Sequence, residues 1–404
     1  MGEMQKPLPK GWKWVKLGET SRIVSGSTPR TNERKYWDGD ILWVTPADLS
    51  NLETIKIDDS KRKITKEGYK SCSTTILPIG TVLLSSRAPI GHLAVVGREM
   101  CTNQGFKSLI PNENIVSFYL YFVLMRFKHE LISLGAGATF KEISKTSVRK
   151  FEIPLPPLPI QHKIVEILEE TDNLRKLRRE ADEKMKDLIP SLFVQMFGDP
   201  ATNPKGWEIK RLKDVALSVK NGLFKRPGEF GSGVPLINVV DLFTGYKVDL
   251  TKLERVSATR EETKKYSVED GDLFFCRSSL KKEGVAKCAV ALDLNETTVF
   301  ECHTIMVRLN KKMLNPLYAS IYLNHPGVRT HTVNTSQTAT MTTVGQKDIL
   351  RQKIFIPPLH LQQEFVNLVD EIEAEKARQT ESRRKLGDLF SSLMQRAFAG
   401  KLVA

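Results

Sequence analysis

The sequence lacks long hydrophobic runs. It has no stretch of about 18 apolar residues, so no membrane-spanning helix is expected. Residues 1 to 7 also lack the apolar segment of a secretory signal. Cysteine is scarce, and no Cys-x-x-Cys pair occurs among Cys72, Cys101, Cys276, Cys288 and Cys302. Scattered thiols predict free cysteines in a reducing cytoplasm and no zinc site. Because Cys302 and His303 are adjacent and not spaced like metal ligands, we expect them to pack in the core.

Catalytic motifs are missing as well. There is no Gly-x-Gly-x-x-Gly or P-loop pattern, and the seven histidines form no His-x-x-x-His pair. The segment Asn315-Pro316-Leu317-Tyr318 is similar to the Asn-Pro-Pro-Tyr of amino-group DNA methyltransferases. Asparagine followed by proline is also an ordinary helix start, however, and no glycine-rich cofactor loop lies upstream. We interpret the segment as a helix cap, and we expect no catalytic residue, metal or cofactor in this chain.

The two halves of the 404-residue chain repeat each other. Pro9-Lys10-Gly11-Trp12 returns 195 residues later as Pro204-Lys205-Gly206-Trp207. Pro156-Pro157 and the amphipathic stretch that follows return 201 residues later as Pro357-Pro358. This repetition predicts two globular units, each followed by a long helix. A pseudo-twofold protein suits a pseudo-twofold ligand, and duplex DNA is the commonest such ligand.

The net charge of +14 is located in the globular units. Residues 1–160 carry 23 basic and 15 acidic side chains, and residues 199–361 carry 24 and 17. The helical stretches 161–198 and 362–398 carry 7 and 8, and 6 and 7, so each is nearly neutral. Positive charge in paired units favours contact with phosphates. The alternative is a generally basic protein with no nucleic-acid ligand.

The globular units are predicted to be mixed α/β. Each starts with a short strand, at Trp14–Leu17 and Ile209–Leu212, and has a second strand at Ile41–Val44 and Pro235–Val240. A glycine turn, a buried strand and a basic loop follow, with Gly80 and Gly271 at the turns and Arg87 matched to Arg277 in the loops. Helices are expected at 117 to 131 and 316 to 322. The units lack the regular strand–helix alternation of a doubly wound sheet.

The two long helices have matching heptads. One core position holds Ile164, Thr171, Arg178, Met185 and Leu192, and 201 residues later Phe365, Ile372, Gln379, Leu386 and Leu393. The other holds Ile167, Leu174, Ala181, Leu188 and Gln195, and then Leu368, Glu375, Ser382, Leu389 and Arg396. Both seams are apolar at the ends and polar in the middle, which favours an antiparallel coiled coil over two unrelated amphipathic helices. Pro190 should end or kink the first helix, whereas its counterpart Ser391 should not.

The length of these helices gives a distance. At about 1.5 Å per residue, residues 161 to 189 span roughly 43 Å. At about 3.4 Å per base pair, two DNA-reading units that far apart lie roughly 13 base pairs apart. The sequence therefore predicts two short recognised sequences with an unread gap, whose length the helices set.

The full arrangement resembles the specificity subunit of type I restriction-modification systems, the HsdS family, over essentially the whole chain. The paired Pro-Lys-Gly-Trp starts carry the resemblance, together with Ile153-Pro154-Leu155-Pro156-Pro157-Leu158, Ile354-Phe355-Ile356-Pro357-Pro358-Leu359, and the helix-opening Gln161 and Gln362. The glutamate that usually precedes that glutamine is Ile160 here and Leu361 in the second half, so both copies depart from the family pattern.

The resemblance implies two target recognition domains, at 1–158 and 199–359, each reading one half of an asymmetric bipartite site in double-stranded DNA. It implies that the conserved spacer helices, at 159–198 and 360–404, form the coiled coil and dock two methyltransferase subunits. Those subunits would carry S-adenosylmethionine, and restriction subunits that use ATP and magnesium would join them. This chain would supply recognition and no catalysis.

Polar and basic residues in the matched loops are the candidates for DNA contact. Arg and Lys favour guanine edges, Asn and Gln favour adenine, and most basic side chains hold phosphate. The first-unit candidates are Ser27, Thr28, Arg30, Lys35, Arg87, Thr139 and Lys141. Those of the second unit are Lys225, Arg226, Arg277, Lys281, Gln337 and Thr340. The serine-rich loops at Ser85–Arg87 and Arg277–Ser279 are expected to donate hydrogen bonds to phosphates or bases.

Two other functions remain open on the sequence. A stand-alone DNA methyltransferase or nuclease would need a cofactor loop or an acidic metal cluster. A coiled-coil scaffold with basic domains that bind RNA or acidic proteins would show no preference among DNA sequences.

Overall fold

The computed structural model describes residues 7–50, 52–87, 89–136, 141–334, 337–338 and 342–403, without the side chains of His331, Gln337 and Thr338. The chain divides into two compact units, Met1–Ala181 with Gln379–Ala404, and Asp182–Arg378. Each unit contains one globular part and portions of both long helical stretches. These units describe packing, and the division into recognition domains and spacer helices stays a prediction.

The first half of the chain contains ten strands and eight α-helices among its described residues. The strands are β1 (Lys13–Lys16), β2 (Ser21–Ser25), β3 (Trp37–Val44), β4 (Lys56–Ile57), β5 (Arg62–Ile64), β6 (Val82–Ser85), β7 (Leu93–Val96), β8 (Cys101–Thr102), β9 (Phe106–Pro111) and β10 (Glu152–Leu155). The helices are α1 (Leu17–Thr20), α2 (Pro46–Ser50), α3 (Lys66–Lys70), α4 (Ser117–Arg126), α5 (Lys128–Ser133), α6 (Lys145–Lys150), α7 (Leu158–Lys186) and α8 (Leu188–Phe197).

The second half of the chain has a related series of twelve strands and six α-helices among its described residues. Its strands are β11 (Ile209–Arg211), β12 (Ala216–Asn221), β13 (Phe230–Ile237), β14 (Glu254–Val256), β15 (Leu273–Cys276), β16 (Ser278–Ser279), β17 (Cys288–Val290), β18 (Val299–Phe300), β19 (Thr304–Leu309), β20 (Gln337–Thr338), β21 (Thr342–Thr343) and β22 (Lys353–Phe355). Its helices are α9 (Leu212–Val215), α10 (Arg260–Lys265), α11 (Pro316–Asn324), α12 (Pro326–Asn334), α13 (Gln346–Leu350) and α14 (Leu359–Phe398).

The main sheet of each unit is buried on both faces. In the first unit its strand order is β2-β9-β6-β7-β4, and in the second it is β12-β19-β15-β17. Val82 and Leu84 of β6 face the cluster that holds α4, while Leu83 packs in a separate cluster on the other face. Successive side chains point to opposite faces of a strand, so a strand between two packed layers reads as a continuous apolar run. The mixed α/β class predicted from the sequence is confirmed.

Three local predictions are also confirmed. The first strand of each unit is present as predicted. Strand β1 pairs antiparallel with β10, and β11 pairs antiparallel with β22, the last strand before each long helix. Asn315 caps α11, because its Oδ1 accepts hydrogen bonds from the backbone N–H groups of Leu317 and Tyr318 at 2.9 and 3.3 Å. The five cysteines are free thiols. No helix in the described ranges is long and apolar enough to cross a membrane.

The first long helical stretch is interrupted and the second is continuous. The helix α7 ends at Lys186 and α8 begins at Leu188, which places Pro190 in the first turn of α8. A proline there costs little because the first N–H groups of a helix have no intrahelical acceptor. The helix α14 runs unbroken through Ser391. Both expectations for these two positions are confirmed.

The long helices are antiparallel. In the first unit the start of α7 packs in one cluster with the end of α14, through Ile164, Leu168 and Phe390. In the second unit α8 packs with the start of α14, through Phe193 and Phe365, whose ring centroids are 5.5 Å apart. The start of one helix therefore meets the end of the other, as the antiparallel prediction requires.

The second seam of these helices lies one residue later than predicted. At the first core position Ile164 and Phe365 are buried, and Met185, Leu192, Ile372, Leu386 and Leu393 are half-buried. At the second, Leu168, Ile189, Val369 and Phe390 are buried in place of Ile167, Leu188, Leu368 and Leu389. The predicted Leu174, Leu188 and Leu389 are exposed, so their assignment to the buried seam was wrong. Ile164 and Leu168 are i, i+4 neighbours, so they lie on the same face of the helix.

A buried glutamine fixes the start of each long helix. Gln161 Oε1 accepts a hydrogen bond from Val116 N at 2.8 Å, and Nε2 donates to Asn114 O and Pro156 O at 3.0 and 2.9 Å. Gln362 repeats these contacts with Asn315 N at 2.7 Å, Met313 O at 3.3 Å and Pro357 O at 2.7 Å. Each glutamine thus ties its long helix to the start of the globular helix α4 or α11. This is the physical role of the two glutamines that the sequence repeat singled out.

Candidate nucleic-acid interface

In the first unit, three loops meet at one edge of the main sheet. Strands β2 and β6 are both antiparallel to β9, so their carboxyl ends lie where β9 begins. Beyond that edge Ser27 N donates to Thr102 O at 3.0 Å, and Ser86 N donates to Gly105 O at 2.7 Å. Ser86 O in turn accepts from Ile143 N at 3.0 Å. The loops after β2 and β6 and the segment around Ile143 form a continuous surface, here called the first edge.

The structure brings most of the first unit's predicted contact residues to the first edge. Arg30 and Lys141 are exposed, and Ser27, Thr28 and Arg87 are half-buried. Thr28 donates its hydroxyl hydrogen to Gln104 Oε1, which holds the loop after β2 against the start of β9. Thr139 lies outside the described residues. Their role in DNA contact stays a prediction.

Lys35 lies at the end of a neighbouring sheet, formed by β3, β5 and β8. Its ammonium group is 5.5 Å from the centroid of the Tyr36 ring. The guanidinium of Arg62, which the sequence did not single out, stacks 3.6 Å from the centroid of the Trp37 ring. Charge next to an aromatic surface is thus present at this position, but the Trp37 face is already occupied by Arg62.

Ser85 and Ser86 hold the loop after β6 in place and are not free to contact a ligand. Ser85 Oγ donates to Pro89 O at 2.7 Å and accepts from His92 N at 2.8 Å. Ser86 Oγ donates to Gly105 O at 3.1 Å, and both serines are fully buried. The expectation that they donate hydrogen bonds to phosphates or bases was therefore wrong. Arg87 is the residue of this trio that reaches the surface.

The second unit has an equivalent surface, the second edge. Strands β12 and β15 end where β19 begins, and Cys302 N donates to Leu223 O at 3.0 Å. Arg277 N donates to His303 O at 2.8 Å, and Arg277 O accepts from Val344 N at 3.0 Å. This pattern matches the hydrogen bonds of Ser86 in the first unit.

The matching backbone hydrogen bonds show that Arg87 and Arg277 are not at equivalent positions and differ by one residue. Arg277 has the backbone partners of Ser86, so the structural counterpart of Arg87 is Ser278. The guanidinium of Arg277 donates from Nη1 to Cys302 O at 3.3 Å. The two arginines therefore lie at equivalent edges in different places, and the sequence alignment of one with the other was off by a residue.

Among the other candidates of the second unit, Arg226 and Lys281 are exposed at the second edge. Thr340 and the side chain of Gln337 lie outside the described residues. Lys225 differs from these, because its ammonium lies 3.0 Å from Glu229 Oε1 and 2.9 Å from Glu262 Oε2. Its side chain is only 5% exposed, and the bonds to the two carboxylates raise the pKa of Lys225. The two acidic partners already neutralise it.

Two polar groups at the edges escaped the sequence reasoning. Lys107 is buried under the first edge, where its ammonium lies 3.0 Å from Glu142 Oε1 and donates to Ser86 Oγ at 3.3 Å. At the second edge, His303 Nδ1 is hydrogen-bonded to Glu301 Oε1, and Cys302 Sγ lies 3.1 Å from that oxygen. A lysine inside an apolar strand was the available signal for the first group. The second group consists of consecutive residues, of which Cys302 and His303 were predicted to pack in the core.

The predicted core packing of Cys302 and His303 was wrong. Cys302 is half-buried and His303 is exposed, because both follow Glu301 in the turn that leads into β19. Glu301, Cys302 and His303 form a group whose donor atoms are close enough to hold a metal ion. Burial, together with the hydrogen bond to Glu301, raises the pKa of the Cys302 thiol to about 11.

Comparisons with known proteins identify the class. The family model for the type I restriction modification DNA specificity domain matches residues 9–185. The chain is 31% identical to the MjaIX type I restriction enzyme specificity subunit of Methanocaldococcus jannaschii, over 90% of this chain and 87% of that protein. Among solved structures, a chain from a type I R-M system complex gives a TM-score of 0.67 at 21% identity, covering 98% of this chain and 100% of that one. The HsdS subunit of Thermoanaerobacter tengcongensis gives 0.52 at 22% identity, with 100% of each chain covered.

The chain belongs to the family of type I restriction enzyme specificity subunits. Its two-unit mixed α/β fold with long helices is the fold of the solved HsdS chains. Members of this family are non-catalytic, in agreement with the absence of catalytic motifs from the sequence.

Proposed function

We propose that this protein is the DNA-recognition subunit of a type I restriction-modification complex. The first and second edges each read one half of an asymmetric bipartite site. Recognition domains at 1–158 and 199–359 carry the edges, and spacer helices at 159–198 and 360–404 set the unread gap between the half-sites.

The observation that carries this proposal is the pair of equivalent edges. Each is built by loops at the same end of the same sheet, each is anchored by the same backbone hydrogen bonds, and each exposes basic side chains. Exposed Arg30 and Lys141 at one edge, and Arg226 and Lys281 at the other, suit phosphate contact. The loops have different sequences on the same frame, which suits two half-sites of different sequence.

The partners follow from the family. Two methyltransferase subunits dock on the long helices and supply S-adenosylmethionine, and restriction subunits that use ATP and magnesium join them. The nearly neutral charge of the helices supports a protein-facing role, and Leu174 and Leu177 on α7 are exposed. Such a complex acts on DNA in the cytoplasm.

Methylation-site mapping by long-read sequencing tests this proposal. Cells that carry this chain with its methyltransferase subunit are compared with cells that carry the methyltransferase subunit alone. A new motif of two short blocks with a fixed gap, and methylated adenine on each strand, is the expected result. If no motif appears while the two proteins are soluble and associated, the scaffold function is favoured and the proposal fails.

A further inference from the structure

The second edge exposes two large apolar side chains among its basic residues. Phe224 is 69% exposed and lies between buried Leu223 and Lys225, and Leu280 is 82% exposed next to Lys281. A phenylalanine or a leucine exposed to this extent leaves most of its favourable burial free energy unused. At a surface that is proposed to bind DNA, such side chains are candidates for contact with an apolar group of the ligand.

The loop around Phe224 is held in place. Leu223 N donates to Phe300 O at 2.7 Å, and the ammonium of Lys225 turns inward to Glu229 and Glu262. Because the residues on both sides of Phe224 are fixed inward, its ring is directed outward. The paired charges of Lys225 thus position Phe224 at the tip of the loop.

Leu280 lies on the other side of the turn that precedes β19. Cys302 N bonds to the Phe224 loop through Leu223 O, and His303 O accepts from Arg277 N of the Leu280 loop. The two apolar tips therefore flank Cys302 and His303 at one edge. Exposed Arg226, Lys281 and Lys282 surround them, and this positive rim matches a phosphate backbone.

We propose that Phe224 and Leu280 read thymine, by apolar contact with its 5-methyl group in the major groove. The proposal rests on the proposed DNA-recognition function and adds a chemical specificity to the second edge. In an undistorted duplex the thymine methyl is the one apolar group that base edges present in the major groove. At the first edge the position equivalent to Phe224 is Thr28, whose hydroxyl is bonded to Gln104, so the two edges read different chemistry.

Single replacement of thymine by deoxyuridine tests the proposal, since it removes only the methyl group. The full chain, in complex with its methyltransferase subunits, is titrated by fluorescence anisotropy on the mapped motif, with each thymine replaced in turn. We expect a loss of affinity of roughly 3- to 10-fold at one or two positions of one half-site, the size of one buried methyl group. Replacements in the other half-site should leave Phe224→Ala and wild-type protein equally affected.

Variants assign the contact. With Phe224→Ala or Leu280→Ala, the duplex with thymine should bind as weakly as the duplex with deoxyuridine, because the partner of the methyl group is gone. Leu217→Ala is the matched control, since Leu217 is 67% exposed at the far end of β12 from the second edge. It should retain the full thymine preference.

Three results would overturn the inference. The first is a mapped motif in which the half-site read by the second edge has no thymine in either strand. The second is that every deoxyuridine duplex binds as tightly as the duplex with thymine. The third is a thymine preference that survives in both variants, which places its origin elsewhere. Absence of any preference for the motif over a scrambled duplex instead removes the proposed function, so the two failures are distinguishable.

Discussion

Replacing Gln362 by alanine should destabilise the second unit far more than replacing its exposed neighbour Gln363. Its side chain is fully buried and bonds three backbone groups, Asn315 N at 2.7 Å, Pro357 O at 2.7 Å and Met313 O at 3.3 Å. A buried backbone group that loses its partner costs about 1–3 kcal/mol. Two strong bonds and one long one give an expected loss of about 3–5 kcal/mol. This is a large fraction of the ~5–15 kcal/mol that holds a domain folded.

The neighbouring residue provides the control. Gln363 is exposed, and its Nε2 donates to Asn367 Oδ1 at 3.0 Å on the same helix, while its Oε1 accepts a long, exposed hydrogen bond from Asn315 Nδ2 at 3.3 Å. Gln363→Ala removes an amide of the same type at the adjacent position and should change the unfolding free energy by about 0.5 kcal/mol or less. Urea unfolding followed by circular dichroism measures both variants against the wild-type chain.

Hydrogen exchange locates the effect. In Gln362→Ala the amides of peptides that cover 313–318 should exchange faster, while peptides of the first unit should keep their protection. Gln161→Ala should produce the converse result, because its three bonds are 2.8, 3.0 and 2.9 Å long. Equal unfolding free energies for Gln362→Ala and Gln363→Ala would refute the assignment of these glutamines as the ties between helix and globular part.

Three further results are expected. Phe390→Ala should cost about 3–5 kcal/mol in urea unfolding because Phe390 lies in the buried seam, and exposed Leu389→Ala should cost far less; the reverse order would restore the predicted heptad. Arg87→Ala and Arg277→Ala should each weaken binding at one half-site only, measured with duplexes mutated in either half, and unchanged affinity in both variants would remove these residues from the interface. Lys225→Gln should lower DNA affinity, because the paired charges of Lys225 position Phe224. The salt dependence of binding should not change, since Lys225 is already paired with two carboxylates. A slope of log affinity against log salt concentration that is reduced by about 0.9 would instead identify a phosphate contact.

The repeat and the helices could be predicted because both leave a periodic record in the sequence. Prolines at 154, 156 and 157 keep that segment out of a helix, and an apolar period of about 3.5 residues starts shortly after them. The seam itself was misplaced by a residue. Val165 and Leu168 are apolar next to the predicted Ile164 and Ile167, so the pattern alone fits both registers, and packing against α4 and Phe390 decides between them.

Glycine turns and basic loops in matched places predicted loops that the structure brings together at one edge of each main sheet. Their contact with DNA stays a prediction, and the state of the individual side chains was not predicted. The state of Lys225 was out of reach, because one of its two carboxylate partners, Glu262, lies on α10, 37 residues away. The same limit applies to Ser85 and Ser86, which bond to backbone atoms that reach them only in the folded sheet. Polar composition identified the loop, and tertiary contacts decided which of its side chains are free.

Under the proposed function, the separation between frame and edge would allow one fold to read two different sequences. The repeated elements are those that stabilise each unit. They are the buried glutamine, the antiparallel pair of first and last strands, and the main sheet that is buried on both faces. The side chains that differ, such as Thr28 and Phe224, occupy equivalent turns outside the buried clusters. A change at an edge therefore leaves the core contacts of its unit intact. Phe224→Thr should change recognition at one half-site, while the unfolding free energy and the other half-site stay as they are, because Phe224 is exposed.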